Sequence, residues 1–141
     1  MTLAIACRFV AWGVLALLSG LPAHADQSAG NPGRGQRQFL QCAACHSLQP
    51  TPGNVGPPLG GIVGRHAAAT ADYAYTPALV AAGLIWNEAT LNRWLEHPTA
   101  LVPGTKMIFA GLPNAADRLD VIAYLQTTTK TADTAARSTG K

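Results

Sequence analysis

Three residues in the first half of the chain have the types and the spacing needed to hold a cofactor. Cys42 and Cys45 are separated by two alanines, and His46 follows directly. On one helical turn, residues i and i+3 face the same way, so both thiols can reach one edge of the same planar ring. C-x-x-C-H is the pattern by which haem is attached covalently, and the histidine then offers its imidazole to the iron. The spacing therefore predicts haem c at Cys42, Cys45 and His46.

The same residues have three other interpretations. A pair of cysteines in an exported chain can form a disulfide. A C-x-x-C pair can be a thioredoxin-like redox site, although no βαβ pattern surrounds this one. A zinc site would need a fourth ligand besides Cys42, Cys45 and His46, and no further cysteine or histidine pair is suitably spaced. The spacing favours haem over all three.

A haem that only transfers electrons needs a second axial ligand opposite His46. Met107 is the only methionine after the first residue, and it follows a Pro-Gly turn over residues 103–106. Paired methionine and histidine ligands raise the reduction potential, and a filled sixth position blocks O₂ and peroxide chemistry. Met107 could also be a gap-filling core residue. His66 and His97 are alternative ligands.

The elements that must position these residues are few. Apolar side chains at helical spacing predict helices over residues 34–46, 88–97 and 114–127. Residues 47–71 are rich in proline and glycine and show no period. A loop of that length normally argues against a compact domain. The conflict disappears if a bound haem supplies part of the core.

Composition limits the function classes. A length of 141 residues fits one domain. Only 12% of the residues are charged, about half the usual share, and the formal net charge is +3. This charge is too small to favour nucleic acid or an anionic membrane as the partner.

The first 25 residues have the layout of a secretory signal peptide. Arg8 precedes an apolar run over residues 9–21, and Ala23 and Ala25 stand at the small positions of a cleavage site. We predict cleavage after Ala25 and a periplasmic protein. The run is shorter than the roughly 20 residues that span a bilayer, and an uncleaved membrane anchor is the alternative.

After residues 1–25 we expect three further segments. Polar, glycine-bearing residues 26–33 are interpreted as a flexible lead-in, and residues 34–127 as the haem domain. Residues 128–141 have almost no bulky apolar side chains and are predicted to be a disordered tail.

Six motifs together resemble the class I c-type cytochromes of the mitochondrial and bacterial cytochrome c group. The resemblance implies an all-α cytochrome c fold, with three main helices and long loops around one covalently bound haem. It implies a one-electron carrier and not an enzyme. The motifs are G-x-x-x-F-x-x-C-A-A-C-H from Gly35, G-P-P-L-x-G-I-x-G-R from Gly56, Y-x-Y from Tyr73, G-L-I-W from Gly83, P-G-T-K-M-x-F-A-G from Pro103 and L-x-x-I-A-Y-L from Leu119.

The resemblance also implies roles for individual residues. Met107 would be the distal ligand, and the ring N–H of His46 would donate to the Pro57 carbonyl. Such a contact fixes the imidazole tautomer. Four further residues would surround the haem propionates: Tyr75 and Trp86 by hydrogen bonds, Arg65 by its charge and Thr105 by a polar contact.

The resemblance places packing residues as well, and the chain departs from the family at two points. Gly35 and Phe39 would meet Tyr124 where the first and last helices cross. Trp94 stands where the family commonly has a tyrosine near the methionine sulfur. The lysine-rich rim of the mitochondrial proteins is also missing, since the chain has only Lys106, Lys130 and Lys141.

The expected partners are redox proteins that bind transiently to a monomer at the exposed haem edge. Ala44, Ile62 and Phe109 are candidates for a small apolar docking patch there. We expect no nucleic acid and no small-molecule substrate. Two alternatives remain: a dedicated electron-transfer subunit of a larger periplasmic dehydrogenase or oxidase, and a haem enzyme or gas sensor with an open sixth site.

Overall fold

The computed structural model describes residues 29–139. The predicted signal peptide lies outside them. Within the described range there is no β-strand, only an isolated antiparallel bridge between His66 and Ile85. The all-α prediction is confirmed. The helices are α1 (Pro32–Gln38), α2 (Leu40–Ala43), α3 (Pro77–Ala81), α4 (Glu88–Glu96), α5 (Pro98–Leu101) and α6 (Ala115–Thr139).

The first predicted helix is two helices in the structure. Asn31 caps α1, where its side chain accepts a hydrogen bond from the Arg34 N–H at 2.9 Å, with Pro32 next in sequence. Phe39 separates α1 from α2, which ends at Ala43. The predicted range 34–46 therefore begins after the observed start at Pro32 and ends after the observed end at Ala43. The His46 N–H still donates to the Cys42 carbonyl at 2.8 Å, so the haem-binding motif keeps a helical turn.

The predicted helix over 88–97 matches α4 to within one residue. Asn87 and Thr90 form a reciprocal capping box at its start. Its apolar face buries Leu91, Trp94 and Leu95.

Helices α1 and α6 cross in close contact. A Cβ atom on Gly35 would lie 1.9 Å from the Asp120 carbonyl oxygen, so only glycine allows this approach. Phe39 packs on Tyr124 with ring centroids 5.3 Å apart. The predicted meeting of Gly35 and Phe39 with Tyr124 is confirmed.

A buried carboxylate ties the two helices together. Asp120 is 2% exposed and accepts hydrogen bonds from the Asn31 N–H at 2.6 Å and from Arg34 Nε at 2.6 Å and Nη2 at 2.9 Å. The hydrogen bond from Arg34 holds the pKa of the Asp120 carboxyl below its usual 3.8, assisted by the Asn31 N–H and opposed by burial. The same pair raises the pKa of Arg34.

Helix α6 is longer than predicted. We predict its end near residue 127 and a disordered tail from residue 128, whereas the structure continues the helix to Thr139. Threonine hydroxyls bond back to the preceding turn, Thr128 to the Leu125 carbonyl at 2.7 Å and Thr131 to the Thr127 carbonyl at 3.0 Å. These bonds satisfy the hydroxyls in the last part of the helix, which has few bulky apolar side chains.

The long segment between α2 and α3 is held by backbone hydrogen bonds to its neighbours. The N–H groups of Gly56, Leu59 and Gly60 donate to the carbonyls of Cys45, Ser47 and Leu48 at 2.8–2.9 Å. Residues 64–67 pair in the same way with residues 84–86. The segment is therefore ordered, although it has no helix or strand, and it forms one wall of a cavity. No helix within residues 29–139 is both long and apolar enough to cross a membrane.

Candidate functional site

A cavity of about 410 Å³ lies between the helices and the long loops. Its walls include every residue that the sequence predicts to hold or surround a haem. They are Cys42, Cys45, His46, Pro57, Arg65, Tyr75, Trp86, Thr105 and Met107.

His46 is held by one hydrogen bond and one close contact. Its Nδ1 lies 2.7 Å from the Pro57 carbonyl oxygen. A carbonyl can only accept, so Nδ1 carries a proton, and in the neutral imidazole Nε2 then keeps a free lone pair. The ring also lies against Gly56, where a Cβ atom would fall 2.3 Å from the imidazole. The contact with Pro57 expected from the resemblance is present.

The two cysteines are free thiols at the cavity wall. The disulfide interpretation therefore does not hold in this structure. Burial, followed by the neighbouring Cys45, raises the pKa of the Cys42 thiol. Within residues 29–139 no three His, Cys, Asp or Glu side chains are grouped to hold a metal ion such as zinc.

Met107 reaches the cavity from a loop with little support of its own. Its N–H donates to Thr105 Oγ1 at 3.3 Å, and the Thr105 N–H donates to the Val102 carbonyl at 3.1 Å. Of the alternative ligands, His66 lines the cavity. His97 is not among the lining residues and instead ends α4 as its C-cap.

Several polar residues line the cavity. Arg65 Nη2 donates to the Pro58 carbonyl at 3.1 Å, and the Trp86 N–H donates to the Arg65 carbonyl at 2.9 Å. The Tyr75 ring meets the edge of Tyr73 with centroids 4.7 Å apart. Arg65 and Trp86 are thus held beside each other through the backbone, and both line the cavity together with Tyr75.

Apolar side chains form the rest of the wall. Trp94 is 8% exposed and packs on Trp86 with ring centroids 5.3 Å apart. Ile62, proposed above for a docking patch, is also buried at 9% exposure and belongs to the core. That part of the patch is wrong. Ala44 is exposed and Phe109 is half-buried.

Sequence reasoning missed a set of contacts at the mouth of the cavity. Tyr73 donates its hydroxyl to the Val55 carbonyl at 3.0 Å, and Lys106 Nζ lies 4.5 Å from the centroid of the Tyr73 ring. Lys106 also donates to the Ala74 carbonyl. The Y-x-Y motif and the lysine beside Met107 were visible, but their partners lie 18 to 32 residues away along the chain.

The residues present fit a haem. Two free thiols lie one helical turn apart beside a histidine whose Nδ1 bonds to the Pro57 carbonyl, and Gly56 leaves room for the imidazole ring. The walls are mostly apolar, and Arg65 and Tyr75 are among the polar side chains in them. This donor set suits a planar apolar macrocycle that carries iron at its centre and carboxylates at one edge.

Comparisons with known proteins give one consistent result. A family model described as Cytochrome c matches residues 33–129. Cytochrome c2 of Rhodomicrobium vannielii is 49% identical over 102 residues, which cover 71% of this chain and 81% of that protein. Cytochrome c2 of Rhodoblastus acidophilus is 49% identical over 98 residues, 69% of this chain and 92% of that one.

A solved structure agrees with the sequence matches. Cytochrome cH from Methylobacterium extorquens superposes with a TM-score of 0.66 at 43% identity, covering 70% of this chain and 99% of that one. The predicted fold is confirmed by this likeness.

Proposed function

The chain belongs to the cytochrome c family, with covalently bound haem c and electron transfer as its function, and we propose that it is a periplasmic carrier whose iron is ligated by His46 and Met107. The signal-like layout of residues 1–25 supports export. Haem-containing protein in the periplasmic fraction, with Asp26 as its first residue, is the expected result of fractionation and N-terminal sequencing.

One observation carries the ligand assignment. The hydrogen bond of 2.7 Å between His46 Nδ1 and the Pro57 carbonyl leaves Nε2 free for a metal, in a cavity that Met107 also lines. A histidine that ligates a metal commonly donates its other ring N–H to a carbonyl, which fixes the ring orientation and raises the basicity of the ligand.

The side chains divide the remaining tasks. A bound haem supplies a one-electron couple. Cys42 and Cys45 would hold the haem covalently, while His46 and Met107 would ligate its iron and leave no position open to small molecules. Arg65, which lines the cavity together with Tyr75 and Trp86, would offer positive charge to carboxylates that would be costly to bury alone. The buried Trp94 and Leu91 line the same cavity and would keep water away from the bound group.

The exchange of electrons needs only brief contact with partner proteins. Ala44 is exposed beside the two cysteines, and Ile108 is fully exposed next to Met107. We propose that redox partners bind transiently at these exposed apolar residues. A transient contact suits so small a surface, because stable interfaces are larger.

Substitution of Met107 tests the ligand assignment. The ferric holoprotein should show a charge-transfer band from methionine sulfur to iron, and the ferrous form should bind CO slowly at neutral pH. Met107→Ala should abolish the band, open the iron to rapid CO binding and lower the reduction potential.

Ile108→Ala is the matched control, since it removes an apolar side chain from the same loop without touching a ligand. It should leave the band and the CO rate unchanged. Rapid CO binding by the unsubstituted protein, with no charge-transfer band, would refute ligation by Met107.

A further inference from the structure

We propose that Tyr73 is a positioning residue that joins the loop holding His46 in place to the loop bearing Met107, and would thereby keep Met107 at the iron. The inference rests on the proposed ligation by Met107. The Tyr73 bridge is defined as Tyr73 and Ala74 with their contacts to Val55 and Lys106.

One end of the bridge reaches the segment that holds His46. The Tyr73 hydroxyl donates to the Val55 carbonyl at 3.0 Å. Val55 directly precedes Gly56, whose N–H donates to the Cys45 carbonyl at 2.8 Å. Pro57 follows and accepts the hydrogen bond of His46. This end of the bridge is therefore attached to a part of the chain that hydrogen bonds to Cys45 and His46 hold in place.

The other end reaches the Met107 loop. Lys106 Nζ lies 4.5 Å from the centre of the Tyr73 ring and also donates to the Ala74 carbonyl. An ammonium group over an aromatic face is attracted by the ring quadrupole. Because Lys106 directly precedes Met107, these contacts restrain the backbone immediately before the ligand residue Met107.

The Met107 loop has few other restraints at this point. Among the N–H groups of residues 106–111, the structure shows a single hydrogen bond, that from Met107 to Thr105 Oγ1 at 3.3 Å. The next backbone anchor is the Leu112 N–H, which donates to the Leu95 carbonyl at 2.7 Å. The Tyr73 bridge thus adds the contacts that the loop itself lacks.

Coupling through one side chain has a specific consequence. The hydroxyl of Tyr73 bonds to the loop that holds His46, and its ring contacts Lys106 on the loop that bears Met107. Removal of the hydroxyl alone should therefore loosen both loops together, since the ring then loses its fixed position beneath Lys106. Removal of the ring should loosen the Met107 loop further.

The test compares Tyr73→Phe, Tyr73→Leu and unsubstituted holoprotein. We measure the rate of CO binding to the ferrous form, which counts openings of the Met107–iron bond, and hydrogen exchange at the Gly56 and Met107 amides. Tyr73→Phe should raise the CO rate and both exchange rates about fivefold, as expected for one lost hydrogen bond. Tyr73→Leu should raise the CO rate by about tenfold or more.

Asp120→Asn is the control for general loss of stability, because Asp120 joins α1 to α6 and makes no contact with the bridge. It should lower the unfolding temperature without raising the CO rate. An unchanged CO rate in Tyr73→Phe, or faster exchange at only one of the two amides, would overturn the proposal. If the unsubstituted protein already binds CO rapidly, ligation by Met107 fails, and the paired amide exchange alone decides whether the bridge couples the loops.

Discussion

The position of His46 depends on a neighbour without a side chain. Gly56 lies against the imidazole, and the nearest ring atom is only 2.3 Å from where a Cβ atom would be. The next residue, Pro57, supplies the carbonyl that receives the ring N–H. Steric fit and hydrogen bonding at two consecutive residues thus fix which nitrogen of His46 faces the cavity.

Gly56→Ala should displace the imidazole and break its hydrogen bond to Pro57. Loss of a contact of this kind typically weakens metal binding by about 10- to 100-fold. We expect less holoprotein with both axial ligands in place, measured by the visible spectrum of the purified protein.

Gly33→Ala is the matched control for this substitution. Its new methyl group would meet only the end of the Asn31 side chain, at 3.2 Å. A normal spectrum in Gly56→Ala would show that the ring has room to move aside.

The residues of the site differ in how far sequence could predict them. Cys42, Cys45 and His46 could be predicted from sequence because one helical turn brings them together. The resemblance supplied Pro57 and Met107, which the structure places at the same cavity. The contact of Tyr73 with Lys106 could not be predicted, because it depends on how two loops fold against each other.

At the scale of the elements, the domain is closed by the crossing of α1 and α6. Gly35 allows the two backbones to approach, and Asp120 binds the start of α1 through Asn31 and Arg34. The pKa of Asp120 is lowered in the folded protein, chiefly by the hydrogen bond from Arg34. The carboxylate therefore stabilises the fold above its unfolded pKa of about 3.8, and this stability is lost as pH falls through the lower folded value.

Asp120→Asn should make the unfolding temperature less sensitive to acid. At neutral pH the variant should be less stable by several degrees, because hydrogen bonds to a charged acceptor are lost. Below about pH 4 the difference from the unsubstituted protein should shrink. Thermal unfolding followed by circular dichroism between acid and neutral pH measures both effects, and a constant difference across this range would contradict the assignment.

Helix prediction succeeded where local signals were strong. Asn87, Thr90 and the apolar face of α4 mark both the start and the register of that helix. The break at Phe39 was missed because it separates two short helices that share one apolar pattern. The extension of α6 was missed because threonine is a weak helix former, and its bonds to the preceding turn are not visible in composition.

For the whole molecule, the charge is almost balanced. Without residues 1–25 the chain would have nine Lys and Arg residues against seven Asp and Glu. A ferric haem with two ionised propionates contributes about −1, so the holoprotein would be near +1. Long-range electrostatic steering of a partner should therefore be weak.

Electron self-exchange between ferric and ferrous copies should depend little on salt. We expect the rate to change by less than about threefold between roughly 0.01 and 0.2 M ionic strength. Line broadening in NMR spectra of mixed oxidation states measures it. Ala44→Lys, which adds charge beside the cysteines, should steepen the dependence; a steep dependence in the unsubstituted protein would reveal an uneven charge distribution.

The crossing of the terminal helices also determines when the polypeptide can finish folding. Arg34 and Asp120 lie 86 residues apart, so their contact cannot form until almost the entire domain has been synthesised. Contacts of such long range slow folding, because a large loop must close before they form. A growing chain therefore leaves Cys42, Cys45 and His46 accessible until α6 emerges, which gives the attachment reaction a period before the tertiary structure closes.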